Sequence, residues 1–208
     1  MRKPIIIVNN ISIFYDKKRI IEDFTFQVKS GEKVVITGES GKGKTSLLNA
    51  ILGFTPIKEG EIFLFGRLLS SENISKIRNK TAWLPQETSL NFDSVNDIIY
   101  MPFEFKINKL NYPSKDAIDT VFKNLNISKE LLNKQVDEIS GGQKQRLLLA
   151  SSLLLKKEVL IIDEPTSALD EDNKKRITNY ILSKKKLTVI AATHDPYWIK
   201  KSDQIIVL

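Results

Sequence analysis

The 208-residue sequence predicts an α/β fold with a mostly parallel sheet and a helical insertion, and three observations lead to this prediction. Apolar runs such as VLII and TVIAA have the continuous hydrophobicity of parallel strands that are covered on both faces. A glycine-rich segment, GESGKGKTS, separates one such strand from a helix-like segment. Between about 91 and 155 the strand pattern gives way to helical periodicity.

The same patterns predict the individual elements. Strands are expected where β-branched residues cluster between turn residues, at 5–14, 24–28, 34–37, 159–162, 188–192 and 204–208. A hairpin around Gly66 is expected to pair 61–64 with 67–69. Helices are expected at 44–52, 115–125, 143–155 and 171–182.

Composition excludes several kinds of site. The sequence has no cysteine and a single histidine, His194, so thiolate sites and all-histidine metal sites are excluded and any metal must have oxygen ligands. The longest apolar runs are far shorter than the ~20 residues that span a bilayer. The N-terminal segment MRKPIIIVNN lacks the cleavage site of a signal peptide, which predicts a cytoplasmic protein.

The charge balance is basic, with 32 Lys and Arg against 25 Asp and Glu and a formal net charge of +7. Such a balance can indicate a nucleic-acid or anionic-lipid partner. However, the lysines are scattered and have no interleaved aromatic residues. We therefore expect a solvated lysine-rich surface and no nucleic-acid partner.

The segment 38–46 is the first candidate site, because Gly38, Gly43, Lys44 and Thr45 satisfy G-x-x-x-x-G-K-[ST] between a strand and a helix. Backbone N–H groups of such a loop surround phosphates, the lysine reaches the β- and γ-phosphates, and the hydroxyl ligates Mg²⁺. The alternative is an ordinary glycine-rich turn. The predicted nucleotide-binding residues are Gly38, Glu39, Ser40, Gly41, Lys42, Gly43, Lys44, Thr45 and Ser46.

Two acidic residues follow the apolar strand VLII. Asp163 is expected at the carboxyl edge of the sheet, where Mg²⁺ needs a carboxylate, and Glu164 is expected to act as general base on an attacking water. His194 ends a neighbouring core strand, from which its imidazole would reach the γ-phosphate or the water. The alternatives are two solvated acids at a strand end and a histidine with a packing or surface role.

The segment ISGGQKQRLLLASSLLLKK raises a separate question. Ser140, Gly141 and Gly142 stand before an apolar-periodic run, so the sequence predicts a helix start that offers a hydroxyl and bare N–H groups to an anion. This would be a second phosphate site in the chain. The compatible alternative is a simple N-cap of a core helix.

The order of these motifs carries a family resemblance. GESGKGKT, WLPQE, ISGGQ, LIIDEP, SALD and ATHD together resemble the ATP-binding cassette (ABC) ATPases, the nucleotide-binding subunits of ABC transporters. The resemblance covers nearly the whole chain. It implies a phosphate-loop NTPase core with a mostly parallel sheet, an N-terminal antiparallel β subdomain and a helical subdomain. A single domain is expected over 1–208, with the core and β subdomain at 1–90 and 157–208 and the helical subdomain at 91–156.

The resemblance also implies roles for three further residues. Tyr15 is similar to the aromatic residue that stacks on adenine, although a core or edge-strand tyrosine is the alternative. Gln86 is similar to the glutamine that touches Mg²⁺ and the attacking water and senses the membrane partner. Asp170 is similar to the aspartate that crosses a dimer interface. For Asp163, Glu164 and His194 the family roles agree with those argued above.

The family pattern suggests an answer to the question about the second helix start. ABC dimers face head to tail, so Ser140, Gly141, Gly142 and Gln143 of one copy would close on the γ-phosphate held by the other. Two departures from the common pattern are Lys42, where a small residue is usual, and Ser151, where many members have arginine.

The resemblance implies an ATPase that uses ATP and Mg²⁺, works as a dimer with a second copy and energises a separate integral membrane permease. Such a subunit would lie on the inner face of the cell membrane. SVNDIIYMPFEFK and SALDEDNKK look closest to the FetA-like metal-efflux group. The alternatives are a regulatory or assembly ABC ATPase, of the cell-division or iron–sulfur type, and a nucleic-acid-associated one.

Overall fold

The computed structural model describes residues 3–15, 18–86 and 92–208. Its central layer is a five-stranded parallel sheet with the strand order β6-β7-β8-β3-β9. The strands are β3 (Lys33–Thr37), β6 (Thr81–Leu84), β7 (Val159–Asp163), β8 (Thr188–Ala192) and β9 (Gln204–Val207). The prediction of a mostly parallel sheet is confirmed.

A second, antiparallel sheet contains the N-terminal strands in the order β2-β1-β4-β5. These strands are β1 (Pro4–Tyr15), β2 (Lys18–Lys29), β4 (Glu59–Leu64) and β5 (Arg67–Leu68). The expected hairpin around Gly66 is present, because Leu64 pairs with Arg67 and Phe63 with Leu68.

Seven α-helices occur in the described ranges. They are α1 (Lys44–Ile51), α2 (Ile74–Arg78), α3 (Val95–Glu104), α4 (Lys115–Asn124), α5 (Gly141–Leu154), α6 (Glu171–Leu182) and α7 (Pro196–Lys201). The helices α3, α4 and α5 all lie between β6 and β7 in the chain, which corresponds to the predicted helical insertion. Its boundary with the core was predicted at 90/91, outside the described residues.

The parallel sheet separates two hydrophobic cores, and β7 contributes to both. Val159 and Ile161 face the core shared with α1 and the antiparallel sheet, whereas Leu160 and Ile162 face the core formed with α3 to α6. This alternation follows from the two-residue period of a strand. All five residues of β7 are buried, as its continuous apolar pattern predicted.

Several element predictions were incomplete. The second strand begins at Lys18 rather than at 24, because the polar residues Lys18, Arg19 and Glu22 are exposed on an edge strand and carry no buried pattern. The short elements α2, β6 and α7 were not predicted. Each has four to six residues, too few for a clear period.

None of the helices in the described part of the chain has both the length and the hydropathy that crossing a lipid bilayer requires.

Candidate functional site

A cleft lies where the parallel strands β3, β7 and β8 end. It has a volume of about 670 Å³. The residues that line it are Ile20, Gly38, Glu39, Ser40, Gly41, Gly43, Lys44, Thr45, Ser46, Gln86, Asp163, Glu164, Ser167 and His194. Ligands of open α/β sheets bind at this carboxyl edge. Residues of five separate motifs of the sequence therefore meet in one cleft.

The phosphate loop follows β3 and ends at Gly43, the N-cap of α1. Gly43 has a φ of +96°, and a Cβ atom there would lie 2.5 Å from the Ile20 side chain. Both the left-handed backbone and the close approach of β2 therefore require glycine. The packing of Ile20 against the loop is one reason why this glycine cannot be replaced.

Lys44 is folded over the phosphate loop. Its Nζ atom donates to the carbonyl oxygens of Gly38, at 2.9 Å, and Glu39, at 3.1 Å. These bonds hold the Lys44 ammonium group beside the loop, where backbone N–H groups can bind phosphate oxygens. Lys42 is not among the described residues that line the cleft, and its Nζ atom lies 3.9 Å from the Glu39 carboxylate, with both side chains mostly exposed.

Thr45 and Asp163 connect the start of α1 with the end of β7. The Thr45 hydroxyl donates a 2.6 Å hydrogen bond to Asp163 Oδ2. Asp163 is only 3% exposed, and this burial is the main reason why its pKa is raised; the nearby Glu164 raises it further, while Thr45 and Lys44 act in the opposite direction. A buried carboxylate beside a hydroxyl can be stabilised by a cation.

These two oxygen atoms fit a magnesium ion better than a metal held by protein alone. In the described ranges no three His, Cys, Asp or Glu side chains cluster as a metal site. Magnesium bound with a nucleotide takes only one or two protein ligands, because phosphate oxygens and water complete its octahedron. Thr45 and Asp163 supply that number, and Gln86 lines the same cleft.

Glu164 lies at the mouth of the cleft in an unusual backbone conformation. Its φ is +48°, which is strained for a residue with a side chain, and its N–H donates to the Ala192 carbonyl oxygen at 2.9 Å. Strain of this kind is concentrated at functional sites. The conformation turns the side chain from the buried strand towards β8.

The Glu164 carboxylate is held by two residues that follow β8. Oε2 accepts a hydrogen bond from the Thr193 hydroxyl at 3.2 Å, and Oε1 lies 3.0 Å from His194 Nδ1. The His194 side chain is 79% exposed and that of Glu164 only 12%. The glutamate is therefore oriented from inside the protein, whereas the imidazole faces open space in the cleft.

The helix start at Ser140 is built as the sequence predicted. The Ser140 hydroxyl accepts from the Gln143 N–H at 3.2 Å, and Gln143 Oε1 accepts from the Ser140 N–H at 2.8 Å, which forms a capping box. Around Gly141, a Cβ atom would meet nothing within 4 Å. The end of the helix is thus open to an outside group.

The start of α5 packs against the loop that carries Glu164. A Cβ atom at Gly142 would lie 2.9 Å from the Ala168 carbonyl oxygen, so glycine permits this contact. Gln145 Nε2 donates to the Glu164 carbonyl oxygen at 3.0 Å. Gln145 also lines a pocket of about 350 Å³ with Gln86 and Gly141. The start of α5 therefore contacts the loop that carries Glu164 through packing and a hydrogen bond.

Asp170 is the N-cap of α6. Its carboxylate accepts from the Asn173 N–H at 2.9 Å and from Asn173 Nδ2 at 2.6 Å, and these two hydrogen bonds lower its pKa. It lies on the surface, so its charge is available to a partner.

The structure divides the predicted site residues into two groups. Most of them line the cleft described above. Within the described ranges, the residues that line it do not include Tyr15, Lys42, Ser140, Gly141, Gly142, Gln143 or Asp170. Tyr15 is 72% exposed at the end of β1, so the alternative of a core tyrosine is wrong.

Four residues that contact the site were not predicted from the sequence: Ile20, Gln145, Ser167 and Thr193. Thr193 and Ser167 had a signal, because Thr193 stands directly before His194 in ATHD and Ser167 begins SALD. Ile20 and Gln145 are common residue types at positions without a motif, and their contacts depend on the tertiary fold.

Comparison with known proteins places the chain in a family. A family model described as ABC transporter matches residues 21–167. The energy-coupling factor transporter ATP-binding protein EcfA of Aster yellows witches'-broom phytoplasma is 31% identical, over 97% of this chain and 74% of that protein. A probable ABC transporter ATP-binding protein, p29 of Mycoplasma pneumoniae, is 30% identical over 100% of this chain and 90% of that protein. Among solved structures, cbiO1 from Clostridium perfringens, part of the ABC transporter complex cbiONQ, has a TM-score of 0.81 and 26% identity, over 98% and 84%.

Proposed function

Because this chain belongs to the ABC transporter family, we propose that it is an ATP-hydrolysing subunit that energises a separate membrane permease. The observation that carries the proposal is the convergence of Thr45, Asp163 and Glu164 on the cleft beside the phosphate loop. This arrangement brings a phosphate-binding loop, a cation site and a base together, as nucleotide hydrolysis requires.

The phosphate loop binds the triphosphate. The backbone N–H groups of 38–46 surround the phosphates, and Lys44 exchanges its bonds to loop carbonyls for bonds to phosphate oxygens. Lys42 contributes its N–H, since its exposed side chain pairs with Glu39 and is not part of the described cleft lining. Tyr15 stacks on the adenine from its exposed position at the end of β1.

Thr45, Asp163 and Gln86 would hold the magnesium ion. When bound, Mg²⁺ neutralises phosphate charge and orients the terminal phosphate. The 2.6 Å hydrogen bond between Thr45 and Asp163 supports this assignment, because it holds both oxygen ligands together before a cation arrives. A cation there also offsets the cost of burying the Asp163 carboxylate.

Glu164 is the general base. A water molecule between its carboxylate and the terminal phosphate gives its proton to Glu164 as the water oxygen attacks phosphorus and the bond to ADP breaks. Thr193 and His194 orient the carboxylate through the hydrogen bonds described above. His194 also contacts the terminal phosphate from the open side of the cleft.

A second copy of the chain completes the site. Ser140, Gly141, Gly142 and Gln143 of one copy contact the terminal phosphate in the cleft of the other, and Asp170 contacts the partner across the interface. This is supported by the open position of Gly141 and by the separation of these residues from the cleft of their own copy. The two copies face head to tail, so two ATP molecules lie between them.

The membrane partner is a permease with its own transmembrane segments. Its docking region includes Gln86 and the helical segment 91–156, which we propose to be a subdomain. The names of the relatives, an energy-coupling factor transporter protein and part of a transporter complex, support a transport role. The chain then works on the inner face of the cell membrane. A regulatory or assembly ATPase is the second candidate, and the FetA-like subfamily remains a prediction.

The ATPase function is tested by measuring phosphate release over a range of chain concentrations, with Mg²⁺ and with EDTA. The proposal predicts that the rate per chain rises with concentration and that EDTA abolishes it. Lys44→Ala should be inactive, while the matched variant Lys42→Ala should keep most activity. A rate per chain that is independent of concentration would contradict the requirement for a second copy.

A further inference from the structure

A second pocket lies at the sheet edge opposite the nucleotide cleft. Its volume is about 460 Å³, within the ~300–1,000 Å³ range of small-molecule sites. It opens beside the amino ends of β7 and β8, between the end of α5 and the turn after α6. Ala82, Leu153, Leu160 and Leu187 contribute apolar walls. The ATPase mechanism uses none of these residues.

Five lysines surround the same pocket. They are Lys156, Lys157, Lys184, Lys185 and Lys186. In the described part of the chain none of them forms an ion pair. The pocket thus combines apolar walls with five cationic side chains. Lys184 Nζ lies 4.1 Å from the centre of the Tyr180 ring, and the ion pairs of the described residues compensate none of the five charges.

The single acidic side chain of the lining does not neutralise these lysines. The Glu158 carboxylate lies 2.8 Å from Lys80 Nζ, which is outside the lining. Lys157 Nζ donates to the neutral Asn108 Oδ1 at 2.6 Å. Burial lowers the pKa of Lys157, which indicates that its charge lacks compensation. A bound anion would supply the compensating negative charge.

The backbone of the pocket is held in place before any ligand binds. The buried Lys33 donates from Nζ to the Lys184 carbonyl oxygen at 2.9 Å and also to that of Leu187, so it ties down the turn that carries three of the lysines. The Leu187 N–H closes the same turn by donating to the Lys184 carbonyl oxygen at 3.0 Å. A preformed site loses less entropy on binding than one that must be ordered.

We propose that this pocket, the basic pocket, binds a small amphipathic anion whose apolar body enters between Leu153, Leu160 and Leu187 and whose phosphate head group meets the lysines. Lysine ammonium groups are effective point-charge partners for phosphate. Apolar walls without cations would suit a neutral molecule, and exposed cations without walls would suit inorganic ions. Either a lipid or a water-soluble phosphate ester could supply this chemistry.

The proposal is tested by calorimetry with octyl phosphate below its micelle concentration. The chain is first saturated with ADP, which blocks the phosphate loop. Octyl phosphate should bind one per chain, and about tenfold or more tightly than inorganic phosphate or the neutral octyl glucoside. Equal affinity for octyl glucoside, or no binding of octyl phosphate to the ADP-saturated chain, would overturn the proposal.

Two triple variants with the same charge change locate the binding. Lys156→Gln, Lys185→Gln and Lys186→Gln together should weaken octyl phosphate binding about tenfold. Lys76→Gln, Lys106→Gln and Lys123→Gln, at exposed positions outside the pocket lining, should leave it unchanged. Equal weakening in both variants would mean general charge attraction and would overturn the pocket assignment. Unchanged ADP affinity shows that each variant is folded.

Vesicles distinguish the two sources of the ligand. Cosedimentation with phosphatidylcholine vesicles that contain phosphatidic acid, lost in the pocket variant alone, would support the proposal with a lipid as the ligand. Octyl phosphate binding without cosedimentation would support it with a soluble phosphate ester. Cosedimentation that both triple variants lose equally would count against a specific pocket.

Discussion

The Thr45 hydroxyl lies 2.6 Å from Asp163 Oδ2, although 118 positions separate the two residues in the sequence. One residue belongs to the first turn of α1 and the other ends β7. Neither is a cation site alone, because magnesium is stably held by several oxygen atoms in octahedral geometry. Their contact links the phosphate loop to the acidic residue that ends β7. The predictions on magnesium dependence and on stability follow from it.

Removing the Thr45 hydroxyl should raise the Mg²⁺ concentration that ATP hydrolysis requires. We expect Thr45→Ala to increase the Mg²⁺ concentration for half-maximal ATPase rate by about tenfold, because one oxygen ligand is lost. Thr45→Ser keeps the hydroxyl and should remain within about twofold of the natural protein. The measurement is ATPase rate against Mg²⁺ concentration, and equal curves for the two variants would rule out the hydroxyl as a ligand.

Neutralising Asp163 should stabilise the metal-free protein at neutral pH. Since burial raises the pKa of Asp163 above its ordinary value of 3.8, the folded chain binds this proton more readily than the unfolded chain does. Between those two pKa values the free energy of unfolding falls as pH rises, and above them the full cost of burying the charge remains.

Asp163→Asn removes that cost, so we expect its Tm in EDTA at pH 7 to be roughly 2–4 °C higher than that of the natural protein. The difference should disappear as the pH falls below about 4, where the natural side chain is also neutral. The exposed Asp137→Asn should show no such gain. Thermal denaturation at several pH values measures this, and a less stable Asp163→Asn at pH 7 would contradict it.

Replacing the general base should separate binding from turnover. Glu164→Gln keeps the size of the side chain and its acceptor oxygen but cannot take a proton, so kcat should fall roughly 100-fold or more. ATP affinity should stay near normal, and the variant should accumulate as an ATP-bound dimer. Glu72→Gln, at an exposed position, is the control. Near-normal hydrolysis by Glu164→Gln would sink the general-base assignment.

A negative charge at the start of α5 should block association. A Cβ atom at Gly141 meets nothing within 4 Å, so Gly141→Asp fits within one copy and should keep ATP affinity. In a dimer it would repel the terminal phosphate of the other copy. Light scattering should therefore show no ATP-dependent dimer. Asn133→Asp, which adds the same charge at an exposed position outside the cleft lining, should dimerise normally. ATP-dependent dimerisation of Gly141→Asp would refute the contact between copies.

The sequence predicted the site well where chemistry demands particular residues in a fixed order. The phosphate loop, the acids after β7 and His194 after β8 could be assigned because parallel strands end at one edge of a sheet. Asp163 ends β7 and Glu164 follows it, yet their adjacent positions did not indicate the change of backbone conformation between them. The φ of +48° at Glu164 turns its side chain out of the strand direction, and no sequence pattern signals this conformation.

Other parts of the site depend on contacts between distant segments. Ile20 packs against Gly43 only because β2 begins earlier than its apolar pattern indicates. Gln145 reaches the Glu164 carbonyl oxygen from a helix whose sequence signals only a cap and an apolar face. The basic pocket likewise joins lysines from two loops that are about 30 positions apart. No local pattern identifies such pairs.

The central claim is that the cleft of one copy works with the helix start of another, and mixing two inactive variants tests it most directly. Glu164→Gln has an intact helix start, and Gly141→Asp has an intact base. In a mixed dimer one of the two sites combines the intact parts of both chains. The account predicts that each variant alone is nearly inactive and that the mixture hydrolyses ATP. A mixture no more active than its components, although mixed dimers of the two variants are detected, would contradict the shared site.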